Sequence, residues 1–165
     1  MKAVGFSAKA LRAAGMSIDD LKSADFSLDQ LRAAKYSIRE LRSVGFTAVQ
    51  LESLGATAPE LRGGGFSADE MREADVPLHE LRHCGYPDKE LRAAGYTAEE
   101  LKTAGATAKD LAVAGFGADE LRPAGFTAAQ LKAAGFNCEK LRAAGFSAKD
   151  LEIVGFSPVQ LKAAG

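Results

Sequence analysis

Tryptophan is missing from the 165-residue chain, and cysteine (two) and proline (five) are sparse. Two cysteines, Cys84 and Cys138, make no disulfide framework, and both fall at small apolar places that suit buried thiols. Charge of one sign is also lacking: 21 basic against 22 acidic residues leave a formal net charge of −1. That balance offers no basic stripe, so no nucleic acid is expected as a partner. Long hydrophobic runs are absent too. The 47% of hydrophobic residues are rich in alanine and interrupted every ten residues, so no membrane association is expected. The opening Met1-Lys2-Ala3-Val4-Gly5 has no apolar signal core, and a cytoplasmic location is the expectation. No Gly-rich phosphate loop and no nucleophile elbow occurs, so neither cofactor nor catalytic residue is expected.

What the chain has is a repeat of ten residues, clean in Gly145-Phe146-Ser147-Ala148-Lys149-Asp150-Leu151. Leucine recurs at every tenth position from Leu11 to Leu161, with Met71 the one exception. All twelve aromatics, nine Phe and three Tyr, sit at a single place in the unit, five residues before the leucine. After most of the aromatics comes Ser or Thr, followed three residues on by Glu, Gln or Asp, as in Ser27/Gln30, Ser37/Glu40, Thr97/Glu100 and Ser147/Asp150. This is the capping box of a helix start. Glycine then stands at the place of Gly15, Gly45 and Gly55, where a left-handed residue ends a helix; Asp25, Lys35 and Asp75 interrupt the series.

Start and stop signals so close together predict an all-α solenoid, or superhelix, of about sixteen short two-turn helices, one per repeat, over residues 1–165 as a single continuous array. Residues 18, 21 and 24 share one face, as do 148, 151 and 154, and each aromatic is placed to meet the leucines on both sides of it. No unit can bury enough to fold alone, so stability is collective. The basic residue after each leucine, as in Arg12, Lys22, Arg32, Arg42 and Arg62, is read as part of a solvated face. Three glycines at 63–65 predict a weak joint over 61–65, and Pro123 predicts a shortened or kinked helix. Lys35 must either take the left-handed conformation or end its helix another way.

The rival architecture is a right-handed β-solenoid of the pentapeptide-repeat kind. It needs a small residue two places before each inward one. Here those places hold Lys9, Asp19, Asp29, Arg39 and His79, which are too large and charged for an interior. With helices preferred, the chain broadly resembles helical-repeat (α-solenoid) proteins, carrying one helix per unit instead of the usual pair. The resemblance implies a non-enzymatic scaffold for protein–protein interaction. Its partner-binding candidates are the outward residues two before the leucine: Asp19, Arg39, Asp69, Glu99 and Asp119. The alternative is a structural protein that self-associates head to tail through uncapped ends.

One segment, His79-Glu80-Leu81-Arg82-His83, is similar to the H-E-x-x-H motif of zincin metalloproteases. That resemblance implies His79 and His83 as metal ligands and Glu80 as general base, a remote alternative function. The repeat itself already places Glu80, Leu81 and Arg82 there. The chain has no third histidine, and Gly85 follows His83 by two residues where the longer zincin signature requires three. The expectation is an adventitious metal site at His79 and His83, with no enzyme activity.

Overall fold

The computed structural model describes residues 5–165. Sixteen short α-helices and no strand occur among them, so the helical expectation holds and the β-solenoid is excluded. The chain divides into two compact units, the first ending at Cys84 and the second beginning at Gly85. The first holds α1 (Ala8–Ala13), α2 (Ile18–Ser23), α3 (Leu28–Ala33), α4 (Ile38–Ser43), α5 (Ala48–Glu52), α6 (Ala58–Gly63), α7 (Ala68–Glu73) and α8 (Leu78–His83). The second holds α9 (Asp88–Ala93), α10 (Ala98–Thr103), α11 (Ala108–Val113), α12 (Ala118–Leu121), α13 (Ala128–Ala133), α14 (Cys138–Ala143), α15 (Ala148–Ile153) and α16 (Pro158–Ala163).

Most helices start on a capping box, whereas α8 and α9 start on Pro77 and Pro87. In α4 the Ser37 hydroxyl accepts from the Glu40 amide at 3.2 Å, and Glu40 Oε2 accepts from the Ser37 amide at 2.7 Å. Two orphan donors of the first turn are thereby satisfied. The pattern has partial copies as well: Asn137 caps α14 alone, and at the start of α12 Glu120 reaches back to the amide of Gly117, which has no side chain to offer.

Most helices end on a Schellman turn. After α2 the amide of Phe26 bonds to the Leu21 carbonyl at 3.1 Å, and that of Asp25 to Lys22 at 3.1 Å. This turn needs a positive φ at its last residue, and Asp25 (60°), Lys35 (69°) and Asp75 (53°) supply it without being glycine. Lys35 carries the largest burden of the three, because Asp is among the residues that tolerate this region. Pro123 shortens α12 to four residues, Ala118–Leu121.

The core is the leucine ladder. Leu21 to Leu151, with Met71 in register, are 0% exposed, each contributing about 2 kcal/mol by burial. In many repeats the small residue three before the leucine lines the same interior, as Ala48, Ala68, Ala108 and Cys138 do. Ile18 and Leu21 are buried and Ala24 half-buried, whereas Ala148 is exposed beside buried Leu151.

Within each unit a helix packs against the next and also against the next but one: α1 on α3, α4 on α6 and α5 on α7 in the first, α9 on α11, α10 on α12 and α12 on α14 in the second. A turn of each solenoid therefore takes two repeats. Glycines 63–65 lie inside the first unit, where α6 keeps its six residues and Gly64 is buried as the cap. A Cβ on Gly64 would overlap Ile38 Cγ2 and lie 3.0 Å from Ile38 Cβ, so this glycine lets α4 approach α6 closely.

Candidate functional site

Helices this short, fixed at both ends, point the same register position outward each time. Asp19, Arg39, Asp69, Glu99 and Asp119 are all exposed. In the first unit the two-repeat turn separates them: Asp19 and Arg39 belong to α2 and α4, and Asp69 belongs to α7 in the alternate series. In the second unit Glu99 and Asp119 head α10 and α12, two helices that pack together. Arg39 is partly engaged, its Nη2 lying 3.4 Å from the Gly63 carbonyl.

The reading of the basic residues as a solvated face is corrected by the structure. Arg12 Nη1 donates to the Ala34 carbonyl at 2.7 Å, its guanidinium lies 4.4 Å from the Tyr36 ring centroid, and Glu40 is 4.0 Å from Nη2. One side chain thus bridges α1, the carbonyl end of α3 and the capping glutamate of α4. Arg42 does the same with the Gly65 carbonyl, the Phe66 ring at 4.8 Å and Glu70 at 3.0 Å. Arg92 repeats it with the Gly115 carbonyl, the Phe116 ring at 4.6 Å and Glu120 at 3.2 Å. Lys102 and Lys132 bond two carbonyls each and sit over Phe126 and Phe156. A cation belongs there physically, because the last carbonyls of a helix carry partial negative charge and so does the face of a ring. Where the ring is missing the fit degrades: opposite Arg32 the place holds Ala56, and Arg32 Nη1 is buried without a hydrogen-bond partner.

Sequence reasoning missed this grip because its members are 22 to 28 residues apart. The recurring signal was present as a basic residue, an aromatic 24 on and an acid 28 on. It becomes meaningful only once a turn is known to take two repeats.

The perturbed acids serve the fold. The Ser17 hydroxyl and amide hold the Asp20 carboxyl below the usual carboxylate range, Ser37 does so for Glu40, and Ser147 for Asp150. At Glu60 the Thr57 amide is the leading cause. Burial pushes the Tyr36 phenol up, and its hydroxyl donates to the Met16 carbonyl at 3.0 Å. Burial likewise raises the Cys84 thiol, and Cys84 and Cys138 are both free.

His79, Glu80 and His83 are all exposed on α8. Among the described residues no group of three or more His, Cys, Asp or Glu is placed to hold a metal ion. No helix among them is long and apolar enough to cross a membrane.

Two grooves in the second unit are equivalent by a shift of two repeats. One, of about 420 Å³, is lined by Arg92, Tyr96, Glu99, Phe116 and Glu120. The other, of about 710 Å³, is lined at the corresponding places by Ala112, Phe116, Asp119, Phe136 and Lys140. Glu99 and Asp119, expected as contact residues from the sequence, occupy matching places at the two.

Single short helices, capped at both ends and stacked two to a turn, define an all-α solenoid built from a ten-residue unit. The chain belongs to the family described as Decapeptide repeat region, which matches residues 1–66, 55–128 and 115–165 and so spans the whole sequence. No curated protein and no solved structure matches it.

Proposed function

We propose that the chain is a non-enzymatic scaffold that holds a protein partner along its outward residues. The observation that carries this reading is the independence of those residues from the bonds that make the fold. Among the described residues, the side chains of Asp19, Asp69, Glu99 and Asp119 enter no capping box, grip or ion pair, and all four are exposed. Such positions can change identity at little cost in stability, as the outer surfaces of repeat arrays do. Location in the cytoplasm belongs to the same reading, since two free thiols suit a reducing compartment.

The experiment is affinity capture with the parent chain and with a variant carrying Asp19→Ala, Arg39→Ala, Asp69→Ala, Glu99→Ala and Asp119→Ala. The variant is expected to keep its helical circular dichroism and to lose the captured partner. Identical capture by both removes the outward residues from the interface. A mass that rises with concentration in light scattering, with no partner captured, replaces this reading with self-association.

A further inference from the structure

We propose that the groove at Ala112 is a vacant cation slot that receives an arginine side chain from a protein partner. The inference deepens the scaffold reading and rests on it.

The second unit shows what such a slot holds. Arg92, Lys102, Arg122 and Lys132 each donate to the last carbonyls of the helix two further on and lie over the ring that follows it. In that series the residue after Leu111 is Ala112, which has no cation to give. The receiving parts remain: the carbonyls of Ala134 and Gly135 at the end of α13, and the ring of Phe136. Among the described residues no side chain donates to either carbonyl and no cation covers that ring. The cavity is correspondingly larger, about 710 Å³ against about 420 Å³ where Arg92 is in place.

The first unit offers a contrast. There Glu52 stands at the cation's place and Val76 at the ring's, so donor and ring are both gone. At Ala112 the donor is missing while the carbonyls and the ring remain, and that receiver is complementary to a cation from outside. A guanidinium suits it better than an ammonium, because its flat fork can bond two carbonyls while stacking on the ring.

Two charged groups line the slot. Lys140 replaces the glutamate that pairs with Arg12, Arg42 and Arg92 at its equivalents, and it opposes an incoming cation. Asp119 supplies a carboxylate from the head of α12. Asp119 Oδ1 lies beside Gly117, over the start of α12. One arginine gives weak binding, on the order of millimolar; the scaffold adds the remaining contacts.

The test is an amide NMR titration with acetyl-Gly-Arg-Gly-amide, its citrulline counterpart and agmatine. The arginine peptide is expected to shift the amides of Gly135 and Phe136 and to leave those of Gly155 and Phe156, whose slot Lys132 fills, in place. Citrulline, neutral and nearly isosteric, is expected to do neither. Ala112→Arg fills the slot from within and abolishes the response; Ala112→Lys is the second filler, since Lys102 and Lys132 occupy equivalent slots. Lys140→Glu tightens binding about two- to fivefold. Equal shifts with citrulline, no shift at all, or an undiminished response in both filled variants overturns the proposal. Agmatine binding more tightly than the peptide overturns the assignment to a protein partner. If partner capture survives Ala112→Arg while the titration fails, the slot is refuted and the scaffold stands.

Discussion

Gly63 and Gly64 are adjacent, and alanine is expected to act in opposite directions at the two. Gly63 is the last residue of α6, and a Cβ built on it meets nothing within 4 Å. Gly63→Ala therefore gains the helix preference of alanine, about 0.5–1 kcal/mol, without a contact to offset it. For a chain of this size that raises the melting temperature by roughly 1–4 °C. Gly64 is buried, and the same methyl would overlap Ile38 Cγ2 while lying 3.0 Å from Ile38 Cβ and 3.2 Å from the Leu61 carbonyl. Ile38 belongs to α4, and a β-branched side chain in a helix has essentially one χ1 well. It cannot swing aside, so α4 and α6 must part, at an overpacking cost of about 1–3 kcal/mol. That exceeds any gain in helix preference, and Gly64→Ala is expected to lose about 1–2 kcal/mol net. Urea denaturation followed by far-UV circular dichroism measures both. The double variant Ile38→Ala, Gly64→Ala supplies the control, since it restores the small residue that most repeats carry at the place of Ile38. Recovery of most of the loss is expected. Shifts of the same sign for the two glycines, or no recovery in the double variant, would refute the close approach.

Two further outcomes follow from the grips and caps. Arg42→Met keeps the apolar stem and removes the charge from the Gly65 carbonyl, the Phe66 ring and Glu70; since the pair is over a third exposed, the expected loss is only about 1 kcal/mol. Denaturant midpoints measure it, and an unchanged midpoint would reduce the grip to a geometric coincidence. Acid is expected to fray some helices before others. The carboxyls of Asp20, Glu40, Glu60 and Asp150 are held below their ordinary range when folded, so their stabilisation is complete above the unfolded value and vanishes as pH falls through the folded one. Helices α3, α5, α13 and α16 use Gln30, Gln50, Gln130 and Gln160 in the same role and have no proton to gain. Amide exchange below the ordinary carboxylate range distinguishes the two sets, and uniform fraying would argue against the boxes as the cause.

The helices were legible because each signal acts over ten residues or fewer. Ser37 and Glu40 bond each other across three residues, and Phe26 returns to Leu21 across five, so neither depends on distant packing. Even a break in the pattern, such as Pro123, acted locally and shortened its own helix. The grips were not legible for the opposite reason. Arg12 looked solvated while the turn of the solenoid was unknown, although Tyr36 and Glu40 were both in view. Gly64 has a role of the same kind: composition shows only a helix end poor in helix preference, and the position of Ile38 shows that the glycine lets α4 approach α6. Among the candidate contact residues, exposure followed from register alone, whereas the link between Asp119 and the groove at Ala112 needed the two-repeat turn.

The grips also bear on how the array holds together. A repeat protein is usually described by the stability of each unit and its interface with the next. Here Glu40 accepts from the Ser37 amide and hydroxyl, which starts α4, while Arg12 from α1 reaches toward the same carboxylate. The start of one helix is thus coupled to a residue three helices back, and the carbonyl end of α3 is tied into the same side chain. Glu70 and Glu120 repeat the arrangement with Arg42 and Arg92. A complete grip therefore spans four consecutive repeats, and a nearest-neighbour account leaves it out. The smallest cooperative piece of such an array is then four units, one that contains a leucine ladder together with at least one cation, ring and carboxylate brought into a single contact.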